Sequence, residues 1–479
     1  MRMRLAGAGA VVLLGLPARV LAGPLLAAHP GGIGFFGPTD PEVTAIWWNA
    51  AALGELGGTH LHLAGSPTFL SQKMSRASGG PITDRVDLAP DVFIGATTDF
   101  TTDHVRVGVA YHIPFRDYGS IGSDADRIDP ATHSSPLRYQ RLHTFLQNHY
   151  FSPAAAFRIN SSVSFGIGMN IVYTIAGLSF DRDRPLDTGV DDHENPAQAE
   201  RIDVNGTAGS VGFQAGFLWR IKGRVTLGGA FVSRAATLSR TSIPADRYGS
   251  GELNAHITQP GGGALNGYGE ISFKLPDLVH FGARWLVSDR LEAAATFRYA
   301  DWGQRSDSIR IHMTSQQLRQ GQPPAPPEPQ EIILYRGYRD SYQVSARGAY
   351  CARRPLAAGE PCRLRLGLSA GFDTGMYDPQ AVQADALDGP TLELGFLVEW
   401  RLSSHLRLVG GGTYAAMMSR QVTASVYDAN LALGCVNSGY SAPACTGYDL
   451  GQGLPSANGS YNLQTYAASL GMVFDWWGR

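Results

Sequence analysis

Charge is scarce in this chain. Asp, Glu, Lys and Arg together make up 17% of its 479 residues, below the roughly one quarter of an average protein. Lysine is almost missing, with only Lys73, Lys222 and Lys274, and the other basic residues are arginines; genomic base bias accounts for this most simply. The formal net charge is −2, so there is no electrostatic case for a nucleic-acid partner. Long apolar runs are also missing. No stretch of 18 apolar residues occurs after the N-terminus, which excludes helical membrane spans. A membrane β-barrel is not excluded, because its signature is alternation rather than bulk hydropathy.

Cysteine is limited to four residues in two close pairs, Cys351 with Cys362 and Cys435 with Cys445. In an exported chain these are disulfide candidates, and local pairing is the simplest of the three connectivities. Neither pair has a CxxC spacing or a nearby histidine, so no metal site is expected. Nothing in the chain calls for a cofactor.

Residues 1–22 read as a secretory signal. MRMR supplies a positive start, AGAGAVVLLGLP an apolar segment, and Val20-Leu21-Ala22 a cleavage site after Ala22. The apolar segment, about 12 residues, is short of the roughly 20 needed to span a bilayer. Residues 23–58 are rich in glycine and do not alternate.

From residue 59 onward, alternation dominates. In SVSFGIGMNIVY, one face carries Val163, Phe165, Ile167, Met169, Ile171 and Tyr173, and the other begins Ser164, Gly166, Gly168, Asn170. HVRVGVAYHI, VGFQAGFLWR, RLEAAATFRYA and TLELGFLVEW repeat the pattern. A soluble sandwich would alternate too. Here the polar face is glycine-rich and poor in charge, and strands often end in aromatics, as a membrane interface girdle requires. Connections also alternate in length. Short turns at 100–104, 158–162, 220–224, 287–290 and 401–405 lie between long polar loops near 114–142, 180–201, 241–267, 304–330, 374–389 and 428–460. Counting strands gives 59–74, 90–100, 104–113, 143–158, 161–178, 203–220, 224–240, 268–287, 290–303, 331–350, 363–373, 390–400, 405–427 and 461–475. The expected fold is all-β, a 14-stranded antiparallel transmembrane β-barrel over 59–479, with 23–58 as an N-terminal lumenal hatch. In that frame Cys351–Cys362 would clip a periplasmic turn and Cys435–Cys445 an extracellular loop.

Four stretches resemble the FadL/TodX family of outer-membrane long-chain fatty acid and hydrocarbon transporters: GGIGFFG…VTAIWWNAAALGEL, YFSPAAAFRINSSVSFGIGMNIVY, KLPDLVHFGARWLVSDRLEAAATFRYADW and GSYNLQTYAASLGMVFDW. The first is similar to the family's hatch, although Asn49-Ala50-Ala51 stands where Asn-Pro-Ala is usual. The last continues past Phe474 to Trp476-Trp477-Gly478-Arg479, where the family pattern ends near an aromatic. The resemblance implies passive uptake of fatty acids or other hydrophobic compounds across the outer membrane of a Gram-negative bacterium. It implies a monomer made by the barrel assembly machinery among outer-membrane lipid and lipopolysaccharide, with Phe35, Phe36, Trp47, Trp48 and Asn49 in the hatch. It also implies sideways exit through a kink in an early strand, for which Gly108, His112 and Pro114 of the third strand are candidates.

Arg106, Arg284, Arg298, Arg347 and Arg365 fall on polar strand faces, where a guanidinium could bind a ligand carboxylate in bidentate fashion. Each is also placed to pair with lumenal acids such as Glu292, Glu393 or Glu399, or to anchor the hatch. Gly32–Gly37 matches GxGxxG but lacks the strand before and helix after that a dinucleotide site needs. Gly367–Gly371 matches GxSxG but continues an alternating strand instead of the sharp turn of a nucleophile elbow. PPAPPEP, 323–329, is read as an exposed loop. A general porin and an outer-membrane lipid enzyme remain the alternatives to a transporter.

Overall fold

The computed structural model describes residues 29–76, 83–120, 142–183, 199–237, 250–258, 264–272, 275–303, 308–313, 330–335, 337–353, 362–379, 387–423, 425 and 457–476. The signal, the first residues of the expected hatch, the 323–329 loop and the Cys435 and Cys445 pair lie outside them.

The barrel is closed, antiparallel and 14-stranded. Its first six staves are β1 (Thr59–Arg76), β2 (Thr83–Thr98), β3 (Val105–Ser120), β4 (His143–Arg158), β5 (Val163–Asp183) and β6 (Ala199–Ile221). The seventh is interrupted and contains β7 (Val225–Val232), β8 (Ala236–Thr237) and β9 (Ser250–Thr258). The eighth joins β10 (Ala264–Ser272) to β11 (Leu278–Leu286), the ninth β12 (Leu291–Ala300) to β13 (Ser308–Met313), and the tenth β14 (Gln330–Tyr335) to β15 (Ser341–Arg353). The last four are β16 (Leu364–Asp373), β17 (Thr391–Arg401), β18 (Leu406–Met417) with β19 (Arg420–Val422), and β20 (Gly459–Trp476). Closure comes from β20 pairing with β1, Trp476 opposite Thr59. A closed ring leaves no edge, which a strand surrounded by lipid requires.

The expected staves are present, but several run further. The expected loop 241–267 contains all of β9 and the start of β10, and 304–330 contains β13. Ladder pairing continues there beyond the membrane-spanning length because adjacent antiparallel strands remain in register.

The outward face is the apolar one. Phe165, Ile167, Met169, Ile171 and Tyr173 of β5 are all exposed, as are Leu392, Leu394 and Phe396 of β17. Tryptophans ring the end with short turns: Trp219, Trp285, Trp400 and Trp476 are each about half exposed, at 48%, 53%, 48% and 50%. Tyr173, Tyr342 and Tyr466 mark the other end of the band. The ten-residue step from Tyr466 to Trp476 matches the roughly 9–11 residues of a tilted membrane strand. Cys351 and Cys362 are disulfide-bonded across the short β15–β16 connection, at the tryptophan end.

Residues 29–58 lie inside the ring. The segment contains a 3-10 turn (Pro30–Gly32), α1 (Ala45–Trp48) and a 3-10 helix (Ala50–Glu55). It reaches Ser66 of β1, Phe93 of β2, Ser164 of β5, Thr296 of β12, Gly367 of β16 and Thr413 of β18, a set of walls that only a segment within the lumen can touch. Trp47 and Trp48 are 1% and 2% exposed. The adjacent pair that would break a strand's alternation is thus accommodated in a helical turn with wall on every side.

The inward glycines make room for this segment. A Cβ on Gly166 would overlap the Ala51 backbone nitrogen, and one on Gly216 would overlap the Asn49 side chain. Gly166→Val is therefore expected to evict the 3-10 helix, at an overpacking cost of about 1–3 kcal/mol, and leave the barrel formed. Protease cleavage within 45–55 in the folded, heat-modifiable protein checks this; unchanged protection would count against the packing argument.

Candidate functional site

The inner segment has no ladder of its own, so its backbone is satisfied by side chains of the wall. Gln214 Nε2 donates to Ile46 O at 2.5 Å, and His280 Nδ1 donates to Trp48 O at 2.8 Å. These are carbonyls that a four-residue helix cannot satisfy internally. Asn49 does three jobs. Its Nδ2 donates to Pro38 O and to Phe217 O, both at 2.9 Å, and its Oδ1 accepts from Ala51 N at 3.1 Å. The last contact caps the 3-10 helix. In place of the usual proline, Ala50 forms the first residue of that helix, buried at 2% exposure.

Charge pairing fixes the lower part of the segment. Asp40 meets Arg347 Nη2 at 2.5 Å, and Glu42 meets Arg407 through both oxygens at 2.7 Å. Glu55 pairs with Arg284 at 3.5 Å and with Arg220. At its other end, near the tyrosine rim, His29 Nε2 lies 2.9 Å from Glu393 Oε1. Phe35 lies under two guanidiniums, those of Arg347 and Arg365, at 5.5 and 5.6 Å from its ring centre. Phe36 is buried edge-on against it, at 6.3 Å.

Each of the five arginines singled out in the sequence has a protein partner in the structure. Arg106 donates to Leu56 O and to Thr102 O. Arg284 and Arg347 hold the inner segment, as above. Arg298 pairs with Asp373 at 3.4 Å, and Arg365 bridges Glu292 at 2.8 Å and Glu399 at 2.7 Å. Arg106, Arg284 and Arg347 bond the segment and Arg365 lies over Phe35, together a polar belt that anchors it, whereas Arg298 pairs with the wall higher up, opposite His280.

Above this belt the lumen is aromatic. Trp47 is surrounded by His112 at 5.1 Å, Tyr150 at 5.9 Å, Phe115 at 6.0 Å and His280 at 6.0 Å. Phe115 contacts Trp302 at 6.0 Å, Trp302 stacks on Tyr338 at 5.7 Å, and Tyr338 stacks on Tyr377 at 5.3 Å. Trp302, Tyr338 and Tyr377 flank the upper ends of β12, β15 and β16. The rings thus form a continuous apolar series from the tyrosine-rim end of the barrel down to the inner segment. Tilted and edge-to-face contacts of this kind suit aromatic and aliphatic neighbours alike.

The series ends beside a break in the wall. β2 pairs with β3 only from Phe93–Thr98, opposite Val107–His112. Above that level β2 pairs with β1 and β3 with β4, but among the described residues no ladder joins 83–92 to 113–120. Between β3 and β4 the register jumps from His112↔Tyr150 to Phe115↔Asn148, three steps against two. Pro114 lies in this bulge and Pro90 opposite the gap. Neither has an N–H to donate, so neither can extend the ladder. His112 is the last paired residue below the break, while Gly108 lies lower, in regular pairing on both sides. Gly108 instead makes room for the inner segment: a Cβ there would come within 2.9 Å of Ile46. Leu88, 52% exposed, is opposite Phe69, which in turn is opposite Tyr466. The gap therefore opens at the upper part of the lipid-facing band.

The two sequence motifs with enzyme-like spelling have structural roles here. Ser369 sits in regular β16 and its hydroxyl donates to Gly34 O at 3.4 Å. Gly32–Gly37 lies within the lumen segment, between a 3-10 turn and α1.

Phe115, Tyr150, Trp302, Tyr338 and Tyr377 were not singled out by the sequence, because each is one aromatic among many on alternating strands or just beyond their ends. The one available signal was Trp302, at the end of the Leu-Pro hairpin. Asn49→Ala is expected to weaken docking of the segment by about 1–3 kcal/mol, the cost of leaving buried partners unsatisfied. Faster hydrogen exchange confined to 45–55 would show it; exchange equal to that of the unchanged protein would not.

The residues 127–386 match the family model described as outer membrane protein transport protein (OMPP1/FadL/TodX). No curated protein sequence matches the chain. Among solved structures, a FadL homologue of Pseudomonas aeruginosa is similar at 13% identity and a TM-score of 0.68, with 96% of this chain and 100% of that one covered. The toluene transporter TodX of P. putida is similar at 12% identity and a TM-score of 0.64, with 95% and 100% covered. CymD, a monoaromatic hydrocarbon channel, is similar at 13% and 0.62, with 95% and 98% covered. The likeness at this identity is one of fold, and the family match spans more than half of the sequence: the chain belongs to the OMPP1/FadL/TodX family of outer-membrane transport proteins.

Proposed function

We propose that this protein carries long-chain fatty acids or similar hydrophobic molecules passively across the outer membrane of a Gram-negative cell and releases them sideways into the bilayer. The observation that carries the reading is the aromatic series that starts at the outer rim and stops at a gap in the wall facing lipid. A hydrophobic solute that sheds its hydration among these rings gains roughly 25 cal/mol per Å² of apolar surface buried. Axial exit would force it past the charged belt around Asp40, Glu42 and Glu55. Lateral exit between β2 and β3 keeps it in apolar surroundings throughout.

In this reading residues 23–58 are the hatch, and Phe35, Phe36, Trp47, Trp48 and Asn49 are the residues that seat it. Residues 1–22 are the export signal. The protein works as a monomer among outer-membrane lipid and lipopolysaccharide after insertion by the barrel assembly machinery. The five arginines would contact a ligand carboxylate only by exchanging the protein partners they hold in this structure. A general porin is disfavoured because the lumen is filled by the inner segment, and a lipid enzyme because Ser369 is engaged in seating Gly34.

Deleting 23–58 separates a plugged transporter from a porin. A large new conductance in planar bilayers is expected for the transporter, and no change in current would indicate a porin. Quenching of intrinsic tryptophan fluorescence by oleate and by an aromatic hydrocarbon tests cargo. Trp302→Ala is expected to weaken binding of at least one of them by about 1 kcal/mol or more, the scale of one aromatic contact beyond its area. Binding of neither probe to the unchanged protein would sink the reading.

A further inference from the structure

One charged pair stands in the gap itself. By strand alternation Arg116 belongs to the outer face: Phe115, just before it, points to the lumen and meets Trp47. Yet the Arg116 guanidinium contacts Asp91 Oδ2 at 2.8 Å and donates to Thr68 Oγ1 at 3.1 Å. Asp91 and Thr68 are buried lumen-side residues of β2 and β1. The arginine therefore reaches inward through the seam, at the level where backbone pairing between β2 and β3 has stopped. Side chains do there what the ladder does below.

The pair is closed but not saturated. Only one guanidinium nitrogen meets the carboxylate, and Asp91 Oδ1 is buried without a hydrogen-bond partner among the described residues. Asp91 Oδ2 also accepts the Gly32 N–H of the inner segment, at 3.2 Å. That second contact holds Asp91 in place when Arg116 moves, so the arginine is the mobile half.

We propose that Arg116 and Asp91 form a charged latch across the β2–β3 seam that a hydrophobic carboxylate opens more readily than a neutral hydrocarbon. The proposal rests on the lateral-release reading above. A neutral solute must separate two buried charges and offer nothing in return, which is costly in a low-dielectric site. A carboxylate offers Arg116 a replacement, and a bidentate one is a better partner than the single contact it displaces. Arg116 is then the specificity-determining residue of the exit, distinct from the belt arginines below.

The test compares oleate with heptadecene, a hydrocarbon of similar length without the carboxylate. Initial uptake rates are measured in cells of a Gram-negative host lacking its own transporter and expressing the full chain. The unchanged protein is expected to favour oleate. Arg116→Leu should lower the oleate-to-heptadecene ratio roughly tenfold, the scale of one charge-assisted contact. Arg116→Lys, which keeps the charge but loses the fork, should fall between. Asp91→Asn removes the competing carboxylate and keeps an acceptor for Gly32, so the ratio should rise. Opposite shifts from the two partners support the latch, because a merely structural contact would move both the same way. Equal shifts, or an unchanged ratio in variants that remain heat-modifiable, overturn the latch and leave transport standing. Uptake of neither probe by the unchanged protein overturns transport and the latch together.

Discussion

Everything in this molecule depends on satisfying the backbone of a segment that has no strand partners inside a wall that has no spare ones. The barrel uses its own N–H and C=O groups in its ladders, as a lipid-facing structure must. Residues 29–58 therefore cannot dock by β-pairing. They dock through side chains: Gln214 and His280 on the carbonyls of α1, Asn49 on two carbonyls and one amide, and arginines on Asp40, Glu42 and Glu55. The arrangement explains the composition. Glycine on the inner face brings the two backbones together, and arginines of the wall hold the segment's three acids.

The same economy divides the lumen into two zones. Below, the ion pairs and Phe35 form a charged, filled layer. Above, Trp47 begins an aromatic series that continues through Phe115 and Trp302. A hydrophobic solute is favoured in one zone and disfavoured in the other, so the proposed lateral release is placed between them and to the side. The proline-bounded break between β2 and β3 occupies that place.

Much of this was legible in the sequence. Clean alternation with sparse charge revealed the fourteen staves and their apolar outer faces, and the spacing of Cys351 and Cys362 revealed their bond. Trp47-Trp48-Asn49, awkward for any strand, stood out in the sequence; in the structure the tryptophans are buried and Asn49 bonds two carbonyls and one amide. The arginines were legible only as inward residues. Which acid each would meet depends on how adjacent strands are staggered around the ring and on where the inner segment lies, and neither is local. Arg116 was invisible for a sharper reason: it falls in 114–142, read from the sequence as a loop, whereas β3 continues past the bulge at Pro114 as far as Ser120.

The sequence by itself determined the class of architecture, because alternation with period two, an exported start and turns of unequal length leave few other solutions. It set residues 23–58 apart, because they offered nothing that could pair as a strand; that 29–58 lie within the ring is a finding of the structure. Only the tertiary structure decided where the wall opens and which charges stand in the opening. Those depend on register: Pro90 and Pro114 interrupt a ladder only because closing the ring sets them on facing edges of β2 and β3. Arg116 meets Asp91 only because the ladder between β2 and β3 stops below them and leaves a seam through which the side chain reaches. A property that depends on two strands being opposite each other is written in neither strand alone.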